Sequence, residues 1–333
     1  MMTVSLCVVA YNEEDFLPNL LKDLQYQTYP HELTEIVLID GNSADKTKQI
    51  MLDFSKQKHS FYNIQVLDNP ERIQAAGWNI AIANAKSDVI IRIDAHTSIP
   101  AEFTAKNMAL QEKGEYVTGG VRPCVIQNPT AWKNMLLEVE NSMFGSSVSK
   151  GRKNDRSGYV NSVFHAAYRR EVFDKVGKFN TNLLRTEDNE MHYRIRKAGY
   201  KIYCDCDIVS YQYARSNFRK MIKQKYGNGY WVGLTLGICP GCISPFHFTP
   251  FCFVLGIVLT TILSFFSFWY IAALMWGAYW LFTLVGAVCT ILNNRANCWT
   301  VLMPLIFLII HISYGVGKFA GIVTLLVKKC KNK

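Results

Sequence analysis

The sequence predicts an α/β domain with a mostly parallel sheet, followed by an α-helical transmembrane module. Three observations carry this. Short β-type apolar runs alternate with segments of helical apolar spacing through the first two thirds of the 333 residues. All 26 acidic residues lie at or before Asp207. No Lys, Arg, Asp or Glu occurs between Lys225 and Arg295.

Taken in order, Val4 to Val9 reads as a first strand, followed by Phe16, Leu17, Leu20, Leu21 and Leu24 at helical spacing. Glu35 to Ile39 is a second strand and Asp45 to Phe54 a helix; Ile64 to Leu67 is a third strand and Ile73 to Ala85 a helix. Asp88 to Ile93 is a fourth strand. Strands separated regularly by helices predict βαβ units and a sheet buried on both faces. Residues 1–214 are long enough for one such domain with its own core. The polar run from Gly145 to Gly158, with Lys150, Arg152, Lys153 and Arg156, reads as a loop, with a lid over a phosphorylated substrate as the functional alternative.

The net charge of +10 is unevenly placed. The part up to Asp207 holds 25 of the 36 Lys and Arg and is close to neutral. The other 11 follow it with no acid among them, five between Arg215 and Lys225 and four in the tail from Lys328 to Lys333. A nucleic-acid binder would carry a basic face on the folded domain. Here the charge borders apolar sequence, which points to an anionic membrane surface and away from nucleic acid.

Residues 246–266, 269–292 and 301–327 each reach the roughly 20 apolar residues that cross a bilayer. They form a C-terminal membrane module over 244–333. Residues 215–243 read as a basic amphipathic interfacial segment, with Phe218, Met221, Ile222 and Tyr226 at helical spacing. The opening residues lack a basic start and suit a buried strand better than a signal peptide. Together with the positive-inside rule this predicts a multi-pass membrane protein whose N-terminal domain stays in the cytoplasm. Three crossings would put the basic tail outside, against that rule, unless the segment around Gly315, Gly317, Lys318 and Gly321 is re-entrant or interfacial.

The ten cysteines suggest neither a disulfide framework nor a zinc site. Cys204 and Cys206 are too close together, and Cys239-Pro-Gly-Cys242 has no second pair to complete four ligands.

The chemistry concentrates where strands end. The fourth strand runs into Asp94-Ala-His96, an oxygen and a nitrogen ligand at the edge where open α/β sheets bind substrates. The alternative is a strand ending in a polar turn. Asp40-Gly-Asn-Ser-Ala-Asp45 follows the second strand; Asp40 either opens a turn or accepts hydrogen bonds from a base or ribose, and Asp45 suits a first helical turn.

Four ordered motifs give these residues a family. Ser5 to Glu14, Asp40 to Thr47, Ile93 to His96 and Thr186-Glu187-Asp188 together resemble the inverting family-2 glycosyltransferases of the GT-A fold. The nearest likeness is to the membrane-anchored bacterial branch that builds succinoglycan-type exopolysaccharides. The resemblance implies a GT-A nucleotide-sugar-binding domain in which Ala10, Tyr11 and Glu13 line the nucleotide pocket, Asp40 contacts the base and Arg72 lies near the phosphates. Asp94 and His96 occupy the family's Asp-x-Asp position, with histidine in place of the second acid. That substitution leaves Mn²⁺ or Mg²⁺ open as the divalent metal, since Mn²⁺ accepts imidazole more readily.

Asp188 is the expected general base. Thr186 reads as a helix N-cap with Glu187, Asp188 and Glu190 in the first turn, where acids also serve the helix dipole alone. The resemblance favours catalysis: Asp188 deprotonates an acceptor hydroxyl while the nucleotide diphosphate leaves from the opposite face. The processive synthases of the family carry a Gln-x-x-Arg-Trp motif; here Gln224 and Trp231 stand at the wrong spacing. The expected activity is therefore transfer of one sugar from a nucleotide-sugar donor, a UDP-sugar, to a lipid-linked glycan acceptor in polysaccharide biosynthesis. A polyprenyl-phosphate sugar synthase and a nucleotide-sugar-binding regulatory subunit of a membrane transporter are the alternatives.

Overall fold

A computed structural model describes residues 1–142, 144–145, 156–214 and 217–331. Most of the polar loop expected between Gly145 and Gly158 lies outside the described residues, as do Arg215 and Lys333. The strands and longer helices are, in chain order, β1 (Val4–Ala10), α1 (Leu17–Gln25), β2 (Thr34–Asp40), α2 (Thr47–Lys56), β3 (Asn63–Asp68), α3 (Gln74–Asn84), β4 (Val89–Asp94), β5 (Thr97–Ser98), α4 (Phe103–Glu112), β6 (Val117–Val121), β7 (Cys124–Val125), α5 (Ala131–Asn141), β8 (Gly158–Val160), β9 (Phe164–Arg169), α6 (Arg170–Val176), α7 (Glu187–Lys197), β10 (Ile202–Val209), β11 (Tyr211–Tyr213), α8 (Phe218–Thr235), α9 (Thr249–Ser264), α10 (Trp269–Leu292) and α11 (Met303–Lys331).

They divide into two compact units. The first comprises Met1–Pro123 and Lys150–Tyr213, the second Cys124–Ser149 and Ala214–Lys333. Residues 124–149 group with the C-terminal part, not with the residues on either side of them in the chain.

In the first unit the sheet order is β3-β2-β1-β4-β9-β6-β10-β8. β1 pairs in parallel with β2 and β4, and β2 with β3; β9 runs antiparallel between β4 and β6. This is the mostly parallel α/β sheet that the sequence predicts. The register puts Ala10 beside Asp40, Asp40 beside Asp68, and Val9 beside Asp94. The carboxyl ends of four strands therefore form one row, where ligands bind in sheets of this kind.

Both faces are covered. Val4, Leu6 and Val8 of β1 pack with Leu17, Leu20 and Leu24 of α1, while Cys7 points to the opposite face and joins Trp78 and Ala81 of α3. Period-2 alternation within β1 thus feeds two separate cores. One carboxylate is buried between them: Glu35 accepts from Ser5 Oγ (2.7 Å), Asn63 Nδ2 (2.8 Å), Gln65 Nε2 (2.7 Å) and the Lys86 amide (2.9 Å). Burial disfavours its charge, but these four donors outweigh that and lower its pKa.

The second unit contains three helices long and apolar enough to cross a membrane, Pro245–Ser264, Trp269–Leu292 and Thr300–Lys331. They coincide with the three expected segments, the last continuing to Lys331. Leu274, Leu281, Leu292 and Val301 are exposed on them, apolar surface of the kind that meets lipid. The amphipathic α5 joins this unit because Met135, Leu136 and Val139 bury against Met221, Met303, Ile306, Phe307 and Ile310. Glu140 pairs with Lys225 at 2.8 Å and Glu138 with Arg295 at 3.6 Å. α8 lies along α11 with backbones in contact: a Cβ on Gly229 would sit 2.0 Å from the Tyr314 carbonyl oxygen, and one on Gly317 2.2 Å from that of Tyr226. Only glycine permits that approach.

The buried Glu35 cluster yields a stability prediction. Replacing Glu35 with Gln leaves buried donors facing a donor and should cost ~2 kcal/mol, about a 5 °C fall in thermal midpoint in detergent. A glutamate whose folded pKa is depressed stabilises fully above its unfolded pKa, and this is lost as pH falls through the folded value. The gap between native and variant should therefore close on acidification, which thermal melts across the acid range would check.

Candidate active site

The site is built on the row of strand ends. After β1 the chain turns through Asn12, whose backbone is left-handed (φ 53°) and whose side-chain Oδ1 accepts from the Ala44 amide at 2.9 Å. The Asn12 amide donates to Ser43 Oγ at 3.0 Å and that of Glu13 to Thr47 Oγ1 at 2.8 Å. The loops after β1 and β2 are thereby fastened together. Ala10 is buried and Tyr11 is half exposed beside Gly41. The Asp40 carboxylate is buried, accepting from the Ser43 amide at 3.2 Å, as in a turn-opening aspartate. Asp45 accepts from the Thr47 amide at 2.9 Å at the start of α2, which accounts for it without a ligand.

Asp94 closes β4. Its Oδ2 lies 3.3 Å from His165 Nε2 and 3.6 Å from Arg122 Nη1; its Oδ1 lies 3.9 Å from Arg92 Nη2 and accepts from Gln74 Nε2 at 3.3 Å. Burial works against its charge, but the His165 hydrogen bond and the surrounding cations hold the carboxyl well below the usual range. His165 adopts a left-handed backbone (φ 47°) within β9, a costly conformation for such a residue. Its Nδ1 is 2.7 Å from Ser210 Oγ, so the tautomer consistent with its partners carries the proton on Nε2, toward Asp94. Arg122 lies over the Phe164 ring at 3.5 Å.

His96, two residues on, faces Glu13 Oε1 through Nδ1 at 3.1 Å, and its Nε2 accepts from Gln212 Nε2 at 3.1 Å. With Nδ1 donating to a carboxylate, the Nε2 lone pair is the one that accepts from Gln212 and that a metal would take only by displacing that amide. Burial lowers the His96 pKa, but the hydrogen bond to Glu13 and the charges of Asp94 and Glu13 prevail and raise it. Among the described residues the one cluster of three metal-ligating side chains is Asp205, Cys206 and Asp207, so Asp94 and His96 have no third side-chain ligand. One carboxylate and one imidazole fit a cation whose other ligands come from a diphosphate and water.

Arg72 is exposed, with φ 59°, in the turn two residues before Gln74. Asp188 lies in the first turn of α7, half-buried, accepting from the Asn189 amide at 2.8 Å. Thr186 precedes the helix but does not cap it. A capping residue needs an extended backbone, whereas Thr186 is left-handed (φ 70°) and its hydroxyl donates to the Arg185 carbonyl. Glu187 instead turns inward and accepts from Arg92 Nη2 at 3.4 Å. Burial and the Asp188 charge push its carboxyl pKa up, and Arg92 opposes this.

Sequence reasoning brought out Ala10, Glu13, Asp40, Asp94 and His96, which the strand row gathers. It missed Arg92, Arg122, His165, Gln74 and Gln212. Arg92 alone left a local signal, as a charge inside an otherwise apolar strand.

The profile described as "Glycosyl transferase family 2" matches residues 5–177. The chain is 28% identical to the dolichyl N-acetyl-alpha-D-glucosaminyl phosphate 3-beta-D-2,3-diacetamido-2,3-dideoxy-beta-D-glucuronosyltransferase of Methanococcus voltae, covering 96% of this chain and 97% of the relative. It is 30% identical to the succinoglycan biosynthesis protein ExoA of Rhizobium meliloti over 68% of each. Among solved structures, the mannosyltransferase PcManGT of Pyrobaculum calidifontis, in complex with GDP-Man and Mn²⁺, superposes with a TM-score of 0.59 at 18% identity, covering 96% of this chain and 87% of that one; this likeness is of fold.

The His96 pairing makes a prediction. Glu13→Gln removes the main favourable contact of the imidazolium, so the His96 pKa should fall, as an NMR titration of labelled histidine would report. A histidine raised on folding stabilises below its unfolded pKa of about 6.5 and ceases to do so as pH rises through the folded value. The variant's loss of thermal stability should accordingly be larger below that pH than above it.

Proposed function

The chain belongs to glycosyl transferase family 2, and from that premise we propose that it is an inverting, metal-dependent transferase that moves one sugar from a UDP-sugar to a lipid-linked glycan. The observation that carries this reading is the strand row itself: Ala10 beside Asp40 and Val9 beside Asp94, with His96 just beyond and Arg92 joining Asp94 to the first turn of α7.

In this reading Ala10, Tyr11 and Glu13 line the nucleotide pocket and the buried Asp40 carboxylate accepts from the base. Arg72, exposed before the start of α3, meets the diphosphate. Asp94 and His96 would hold a divalent cation, Mn²⁺ by preference because of the imidazole, which supplies charge neutralisation to the leaving diphosphate. Asp188, in the first turn of α7, takes the proton of the acceptor hydroxyl. That oxygen attacks the anomeric carbon from the face opposite the diphosphate, the carbon–phosphate-oxygen bond breaks, and the configuration inverts without a covalent enzyme intermediate.

The acceptor class follows from the company of the domain. The Methanococcus voltae relative, matched nearly end to end, has a dolichyl phosphate-linked sugar in its name. Three helices able to span a bilayer and the basic start of α8 would hold the enzyme where such lipids are. We place the catalytic domain on the cytoplasmic side of a bacterial inner membrane, where nucleotide sugars are made.

The test is a panel of radiolabelled nucleotide sugars offered to the full-length protein with lipid extracts. Label should pass to a lipid-linked glycan; label on bare polyprenyl phosphate would make the enzyme a polyprenyl-phosphate sugar synthase instead. On the donor so identified, Asp188→Asn should lower turnover by roughly 10² or more while donor affinity persists. Much retained turnover would leave Asp188 as a helix-dipole acid only. Excess chelator should abolish transfer and Mn²⁺ restore it at least as well as Mg²⁺; full activity in chelator would overturn the metal assignment.

A further inference from the structure

Arg92 is a buried guanidinium in the middle of the first unit, and the mechanism above gives it no step. Its side chain is 12% exposed. The strand around it, Val89-Ile90-Ile91-Arg92-Ile93, is otherwise apolar, and an apolar residue would continue the run at no cost in desolvation. A charge retained in such a place calls for a reason beyond stability.

We propose that Arg92 is a positioning residue that locks the first turn of α7, and with it Asp188, to the Asp94 end of β4. One guanidinium meets α7, α3, the segment after α6 and the end of its own strand. Its Nη2 lies 3.4 Å from Glu187 Oε1 on α7 and 3.9 Å from Asp94 Oδ1 on β4. Its plane is held by the Trp78 ring of α3 at 4.8 Å and the Phe179 ring, which follows α6, at 5.7 Å. Two aromatic walls remove the side-chain freedom that makes most ion pairs weak.

The start of α7 needs such a fastening. Thr186 makes no side-chain capping bond and has left-handed backbone, so the ordinary N-terminal device is absent. The inward Glu187 is the first residue of the helix, and its contact with Arg92 fixes the direction in which the next residue, Asp188, leaves the backbone. Arg92 thus sets the separation between the end that would hold the donor's diphosphate and the carboxylate that would take the acceptor proton. Reaction rate is sensitive to a misplacement of about 1 Å between such groups. The proposal rests on the reading of Asp188 as the base, but its structural half is independent of that reading.

The test uses the full-length protein in detergent with Arg92→Lys, Arg92→Met and Arg92→Ala. Hydrogen exchange followed by peptide mapping should show the segment 187–193 exchanging about 10-fold faster in the Met and Ala variants, with β1 and β2 unchanged. Millimolar guanidinium chloride should restore protection in Arg92→Ala by refilling the space between Trp78 and Phe179. With the donor found by the panel, turnover should fall about 10- to 100-fold while donor KM stays within about threefold. Arg92→Lys, lacking the planar fork, should fall in between and serves if the larger changes fail to fold. Unchanged exchange at 187–193 overturns the proposal. So does a raised KM with intact turnover, which would make Arg92 a donor-binding residue. If Asp188→Asn retained activity while the exchange result held, the base assignment would fail and the fastening of α7 would stand.

Discussion

The first unit is organised around keeping one carboxylate ionised out of water. Asp94 ends a buried strand, and a bare charge there would cost several kcal/mol. Arg92, Arg122, His165 and Gln74 meet it, from the strand itself, the residue after β6, the start of β9 and the start of α3. Each is drawn from a different element, so the electrostatic demand of one side chain fixes how those elements approach. The left-handed backbone at His165 is intelligible in these terms: the strain is tolerated where it aims an imidazole at the carboxylate.

The same demand explains what the sequence made legible and what it did not. Strand ends are visible locally, because an apolar run stopping at Asp94 or Asp40 is a pattern of adjacent residues. The parallel register that aligns them follows from βαβ order, and so the row at Ala10, Asp40 and Asp94 was within reach of sequence reasoning. Arg122 and His165 were not, since nothing within ten residues of either tells that a charge 28 or 71 positions away needs a partner. Thr186 misled for the opposite reason. Its residue type and the acids after it have the local signature of a cap, but the backbone that decides capping is set by the turn entering α7.

The second unit shows a comparable limit. Length and hydropathy suffice to find, among the described residues, three helices that could cross a membrane, because that fitness is a property of one helix at a time. What covers the inner faces of those helices is a tertiary matter. α5 precedes α11 by more than 150 residues, yet Met135 and Val139 bury against Phe307 and Ile310, with the Glu140–Lys225 pair beside them. The glycines of α8 read locally as weak points in a helix. Beside α11 they are its closest contacts, and a side chain at Gly229 or Gly317 would collide with carbonyl oxygen.

On the reading proposed above, an inverting transfer with no covalent intermediate would ask little of its base beyond ionisation and place, so rigidity of α7 is where the fold would contribute most to rate. The helix is secured on successive turns. In the first, Arg92 holds Glu187. One turn on, the buried His192 spans from Tyr168 OH (2.8 Å) to Ser162 Oγ (2.8 Å), and burial lowers its pKa so that the ring enters the network neutral. On the outer side Arg194 binds Glu190 through Nε at 2.6 Å and the Lys178 carbonyl through Nη2 at 2.8 Å. The second and third of these fastenings are ordinary helix anchoring, and they would hold α7 equally well in a protein with no chemistry to perform. The first is different in kind, because it joins the helix through a buried guanidinium to the Asp94 end of β4. On the proposed reading that link serves a second purpose besides meeting the Asp94 charge, since it would hold the Asp188 carboxylate at a fixed distance from a bound donor.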